Sequence, residues 1–190
     1  GEWRMVVGID LSGRYDLQAA NQYTTFDAAG EPVESTREES IESARGTDYG
    51  VFSSIGRGLG IWHFDFGLRG DVVTSSNEGG FFGDISTSNS SVSGFAAVGA
   101  DLHSDLELTA QVARGFRDPL LSDRYYRGET GRGFITGNPS LDPETSLQFD
   151  LALRYKPDFA AVGLYLYRYR IFDLIERFRV GDDFFFRNRG

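Results

Sequence analysis

Six side chains between Arg117 and Arg132 make the sequence's best case for ligand chemistry: Arg117, Arg124, Tyr125, Tyr126, Arg127 and Arg132. A guanidinium offers a planar fork of donors to oxygen anions, and an aromatic ring offers a face for stacking. Together they suit an anionic, aromatic-bearing ligand such as a catecholate chelate. The same residue types also serve as solvated loop residues, or as contacts within a loop. A second, acidic group comprises Glu31, Glu34, Glu38, Glu39 and Glu42. It could attract Ca²⁺ or a cationic ligand, but it lacks the alternating ligand spacing of a calcium loop, and a solvated loop is the simpler reading.

Other chemistries find little support. Cysteine is absent, so neither a disulfide framework nor a thiolate metal site can form. His63 and His103 lie on different segments, which disfavours a histidine-rich metal site. Gly131-Arg132-Gly133 is not followed by the Gly-Lys-Ser/Thr of a phosphate loop, and the glycines at 56, 58 and 60 precede no helical pattern. Asn89-Ser90-Ser91 fits a glycosylation acceptor, a frequent coincidence in a serine-rich loop. No nucleophile–base pair and no carboxylate dyad is fixed by spacing, so the chain reads as a non-enzyme without a metal or cofactor. A formal net charge of −9 argues against a nucleic-acid partner.

The elements that must position these residues show period-two alternation. Trp3, Met5, Val7 and Ile9 share one face of the first segment; Trp62, Phe64, Phe66 and Leu68 share one face of another. Leu106 and Leu108 begin a third apolar stripe, and Leu147, Phe149, Leu151 and Leu153 form a fourth. Such alternation makes a strand that is apolar on one side only. The four stripes carry no charge, while the opposite faces hold Asp10, Asp65, Arg69, Asp71, Asp101, Asp150 and Arg154. No apolar run approaches the roughly 18 residues of a membrane helix. GEWRMVV has no basic start followed by an apolar run, so it is not a signal peptide.

About eight strands are expected, joined antiparallel in an up-and-down meander, an all-β fold. Connections alternate in length. Residues 16–47, 74–91 and 115–144 read as long loops, and 58–60, 103–105 and 156–158 as short turns. Membrane barrels segregate loop length by side in this way, with long loops outside and short turns in the periplasm. Strands of about 11–13 residues also exceed the globular mode of about 5–6. The stripes are therefore expected to face lipid. The segment 159–172 is ambiguous. Tyr165, Tyr167 and Tyr169 share one parity, and Leu164, Leu166, Arg168 and Arg170 the other. Placing the tyrosines outward, as part of an aromatic girdle, avoids sending two arginines toward lipid.

Three ordered segments carry a resemblance. Arg114-Gly115-Phe116-Arg117-Asp118-Pro119 resembles the RGF-x-x-P segment of TonB-dependent outer-membrane receptors. Gly137-Asn138-Pro139-Ser140-Leu141-Asp142-Pro143-Glu144-Thr145 resembles their GNP-x-L-x-P-E-T segment, and Arg170–Ile175 the strand that follows. The resemblance implies part of a 22-stranded barrel filled by an N-terminal plug, in the bacterial outer membrane. It further implies import of a scarce ligand such as a ferric siderophore or cobalamin, captured by extracellular loops. Partners would be outer-membrane lipid, the plug and remaining barrel strands, and the TonB complex acting through the plug. No plug or TonB box precedes Trp3, and family members continue past Gly190, so residues 1–190 read as a partial barrel. An open sheet is then expected over a small closed barrel. A porin-like channel and a soluble β-sandwich binding module are the alternatives.

Overall fold

A computed structural model describes residues 2–190; Gly1, the first residue of the GEWRMVV segment, lies outside them. In chain order the elements are β1 (Trp3–Phe26), β2 (Pro32–Leu59), β3 (Trp62–Glu78), β4 (Ile85–His103), β5 (Leu106–Arg117), α1 (Leu121–Tyr125), β6 (Arg127–Thr130), β7 (Gly133–Thr136), β8 (Glu144–Tyr155), β9 (Val162–Phe172), β10 (Leu174–Val180) and β11 (Asp183–Arg189). Seven strands form one open antiparallel sheet in the order β1-β2-β3-β4-β5-β8-β9. The other four form a second sheet in the order β10-β11-β7-β6. The large sheet is the expected meander, with β1 and β9 at its edges.

Cross-strand register shows which side chains share a face, because directly opposed residues project the same way. Met5 opposes Ile55, Ile55 opposes Phe66, Phe66 opposes Ala96, Ala96 opposes Val112, and Val112 opposes Phe149. One apolar band thus crosses the sheet. It includes Trp3, Val7, Ile9, Trp62, Phe64, Leu68, Leu106, Leu108, Leu147, Leu151 and Leu153. Among the described residues nothing is laid over it: Ile9 is 84% exposed, Met5 68% and Phe66 50%. A β-sandwich would bury such a band against a second layer, so the soluble-sandwich alternative is set aside. At the turn end of the band, the Arg57 guanidinium stacks 4.5 Å from the Trp3 ring centroid.

The opposite face is ionic. Arg69 chelates Asp10 and also bonds Asp71 (Nε to Oδ1, 2.6 Å); Arg4 meets Asp65 at 3.2 Å, and Arg154 meets Glu107 at 3.3 Å. Glycines open this face to larger neighbours. A Cβ on Gly50 would fall 2.0 Å from the Arg69 guanidinium, and one on Gly8 would fall 2.3 Å from the Phe52 ring.

Four sequence expectations are corrected. First, residues 16–47 are not a loop: β1 and β2 remain paired up to Phe26 and Pro32, across a bulge at Asp16, whose φ is 53°. Over residues 22–39 both faces of this extension are exposed, so those residues need no apolar period and the backbone ladder carries them. Second, residues 74–91 shrink to a turn at 79–84, because β3 and β4 stay paired up to Asn77 and Ile85. Third, the tyrosines of β9 do not face outward. Leu166 opposes Leu151 and Leu164 opposes Leu153, so Tyr165, Tyr167 and Tyr169 share the inner face with Ala152, Asp150 and Gln148. Cross-strand pairing with the apolar stripe outweighs the cost of turning Arg168 and Arg170 outward. Fourth, the segment after Phe172 does not run on as one strand. Asp173, at φ 53°, breaks it, and β10 and β11 belong to the second sheet.

Candidate functional site

The stretch between β5 and β8 folds back over the inner face of β2–β4. Leu121 and Tyr125 of α1 pack with Ile41 and Ala44 of β2, flanked by Leu17, Ala19 and Phe82. Leu121 also lies over Gly46, where a Cβ would meet it at 3.5 Å, an ordinary contact distance. The Tyr125 hydroxyl lies 3.5 Å from Ser75 Oγ and 3.2 Å from Thr87 Oγ1, both on the inner face. Asn89 donates to Asp118 at 2.7 Å. A cavity of about 400 Å³ remains beneath α1, bordered by Arg14, Asp48, Ser75 and Asp118.

Three of the six ligand candidates hold this segment together. Arg124 is 0% exposed; it donates to the Pro139 carbonyl at 2.7 Å and lies 3.7 Å from Asp118. Tyr125 is 1% exposed, inside the small core. Arg117 bonds Glu144 at 2.6 Å, and the second Glu144 oxygen accepts the Ile175 N–H at 2.6 Å. That carboxylate joins the ends of β5 and β8 to the start of β10, above the apolar band. The Arg117 guanidinium holds the Glu144 carboxyl below the usual range. Burial pushes the Asp118 carboxyl up, against the pull of Asn89 and Arg124.

The motif glycine and asparagine act the same way. A Cβ on Gly137 would fall 2.6 Å from the Arg124 carbonyl oxygen, so only glycine fits without a shift. Asn138 donates to the Phe186 carbonyl at 3.1 Å, and Asn188 returns a 2.8 Å bond to Asp173 and a 2.9 Å bond to Asp142. The sequence signal for this role was present in the spacing of Gly137, Asn138 and Glu144, which are turn and cap residues rather than recognition residues.

The other three candidates are accessible. Tyr126 is half-buried, with its hydroxyl donating to the Glu129 carbonyl at 2.9 Å; Arg127 and Arg132 are exposed. Arg127 stacks on Phe81 (4.2 Å) and Phe134 (5.0 Å). This pattern extends across the second sheet. Arg177 lies over Phe184 (4.9 Å) and Arg187 over Phe178 (4.5 Å). Sequence reasoning missed this surface, because β7 and β11 meet in parallel through Asp183–Phe185 and Phe134–Thr136, a pairing no local pattern announces. Arg179, Arg187 and Arg189 have carboxylate partners in Asp182 and Glu176, whereas Arg127, Arg132 and Arg177 have none among the described residues. The acidic candidates Glu31, Glu34, Glu38 and Glu39 sit on the exposed end of the β1–β2 hairpin, with Glu42 further down β2. No group of three or more His, Asp or Glu side chains is arranged to hold a metal ion among the described residues.

The TonB dependent receptor-like β-barrel family matches residues 2–190. The chain belongs to that family. A sequence comparison with curated proteins gives no match. Among solved structures, this TonB-dependent receptor segment is similar to the copper transporter OprC, at 18% identity and a TM-score of 0.76, covering 99% of this chain and 30% of that one. It is also similar to a double mutant of the Serratia marcescens hemophore receptor HasR in complex with HasA and heme, at 14% identity and TM-score 0.69, with coverages of 98% and 38%. The FrpB iron transporter from Neisseria meningitidis follows at 19% and 0.60, with coverages of 78% and 21%. At these identities the likeness is one of fold. The segment spans well under half the length of each of these neighbours. The family is one of bacterial outer-membrane barrels.

Proposed function

We propose that this segment belongs to an energised outer-membrane importer, and that it supplies barrel wall and part of the extracellular capture surface for a scarce anionic chelate. The ferric catecholate class fits best, and the segment carries out no catalysis. The observation that carries this reading is the guanidinium–ring surface of the second sheet and its surroundings, centred on Tyr126, Arg127, Arg132 and Phe134. Guanidiniums without carboxylate partners keep their donors for ligand oxygens, and the rings beneath them offer stacking faces. Arg117, Arg124 and Tyr125 then act as positioning residues that hold this surface over the barrel mouth. A plug domain and the TonB complex are the partners this reading requires.

The test is equilibrium binding to the full-length receptor of three probes: a ferric catecholate, a ferric hydroxamate and cobalamin. The expected outcome is preference for the catecholate, with the Arg127→Ala/Arg132→Ala pair raising its Kd at least tenfold. Equal binding of catecholate by wild type and the double variant removes the assignment of these residues. Ion conductance across a planar bilayer without any ligand uptake favours the porin-like alternative.

A further inference from the structure

The inner wall beneath α1 carries more negative charge than its own cations neutralise. Asp10, Asp48, Asp71 and Asp118 gather there against the guanidiniums of Arg69 and Arg124. Arg69 is shared by Asp10 and Asp71, and Arg124 lies 3.7 Å from Asp118. Asp48 has no ion-pair partner among the described residues, and its buried Oδ1 accepts no hydrogen bond. Asp48 opposes Val73, so Asp71, two residues along β3, is its diagonal neighbour on the same face. Asp71 is only 3% exposed, and its Oδ2 is likewise buried without a partner. A carboxylate oxygen buried without a donor is costly, so two on neighbouring strands mark a place for a group rich in donors.

These groups adjoin the cavity of about 400 Å³ under α1. Asp48 borders it from the wall, and Asp118 borders it from the covering segment. Val73, Pro119, Leu120 and Leu121 give it an apolar lining beside the two carboxylates. Arg14 is the only lysine or arginine among the lining residues, and it is exposed. No three carboxylate or imidazole side chains among the described residues are arranged to hold a metal ion. An organic cation suits the space better: a methylene stem lies against apolar side chains, and each ammonium head carries three donors for carboxylate oxygens.

We propose that this cavity binds a short alkyl diamine, with one ammonium on Asp48 and Asp71, the other on Asp118, and the carbon chain against Val73 and Leu121. Charge complementarity selects a cation, and the apolar lining selects an alkyl stem over a bare alkali ion. A diamine in this position joins the wall strands β2 and β3 to the segment that covers them. Its binding therefore tightens the stretch between residues 118 and 143. The inference does not depend on the identity of the imported ligand, because Asp48, Asp71 and Asp118 lie apart from the guanidinium–ring surface of the second sheet.

The experiment uses the full-length receptor in an uncharged detergent at neutral pH and constant ionic strength. Diaminobutane is titrated by calorimetry, with butanediol and sodium chloride as controls, and limited proteolysis between residues 118 and 143 is followed in parallel. Wild type is expected to bind the diamine and to be cleaved several-fold more slowly in its presence. Asp48→Asn is expected to raise the Kd about tenfold or more, the loss of one charge-assisted contact. Val73→Phe, which fills the cavity and leaves the carboxylates in place, is expected to abolish protection. Arg14→Gln, which removes the cation at the rim, is expected to bind at least as tightly as wild type. Unchanged binding by Asp48→Asn overturns the site. So does equal protection by butanediol, or by sodium chloride at the same concentration, which marks charge screening only. Failure of wild type to bind the diamine also overturns it, and a loss of stability in Asp48→Asn then identifies a basic side chain elsewhere in the receptor as the occupant. If Asp48→Asn is cleaved as an unfolded chain, Val73→Phe and the butanediol control decide the matter.

Discussion

The β1–β2 hairpin end and the segment between β5 and β8 are two polar stretches on the same side of the sheet, and they solve the backbone problem in opposite ways. Residues 22–39 stand clear of the rest of the molecule, every one exposed, and their N–H and C=O groups pair with each other across the ladder. At about 3.3 Å per residue the hairpin rises roughly 30 Å beyond its bulge. The β5–β8 segment has little ladder of its own. It is tied down by side chains bonded to backbone: buried Arg124 on the Pro139 carbonyl, and half-buried Glu144 on Ile175, Asn138 on Phe186 and Asn188 on Asp142. One stretch is held by repetition, so any single side chain in it is dispensable. The other is held by a few irreplaceable groups. Only the second carries the surface proposed to capture ligand.

Four predictions follow that contrast from its strongest consequence to its weakest. Arg124→Ala breaks a fully buried guanidinium's ion pair and hydrogen bond, and is expected to destabilise the packed segment by about 3–5 kcal/mol. Limited proteolysis should then cut between residues 118 and 143 while the strands stay intact. Glu144→Gln weakens the tie to Arg117 and is expected to cost about 1–3 kcal/mol by denaturant titration. Its pH dependence has a definite sign. Because the folded Glu144 carboxyl is held below its unfolded value, its contribution is fully present above the unfolded pKa and is lost as pH falls through the folded one. Acidification from neutrality to below about pH 4 should therefore loosen the wild-type segment more than the Gln variant. Gly137→Ala drives a Cβ against the Arg124 carbonyl and should cost about 1–3 kcal/mol, read as a drop in Tm. Glu34→Lys with Glu38→Lys on the hairpin should leave stability within about 0.5 kcal/mol. Its effect should appear only in the association rate of a charged ligand, and should shrink as salt is raised.

The outward apolar band was legible in the sequence because Trp62, Phe64, Phe66 and Leu68 write one uncharged face directly into alternate positions. Legibility failed where both parities satisfy the rule. In β9 the tyrosine set and the leucine set are each apolar enough, and only the opposition of Leu166 to Leu151 separates them. It failed again beyond the apolar band, where residues 22–39 form a ladder exposed on both faces and leave no period to read. Among the ligand candidates, an arginine in a turn looks the same whether it points at solvent or at a carbonyl. Arg124 and Arg127 are three residues apart, yet one is wholly buried and the other exposed.

The parallel contact between β7 and β11 joins chain positions roughly fifty residues apart. The β8–β9 hairpin lies between them in the chain, so this contact closes a far longer loop than any hairpin turn does. Local hairpins form before such distant contacts are rewarded. Assembly of this region therefore has a chronology. The local hairpins are expected to form first, and the β7–β11 contact beneath the proposed capture surface last.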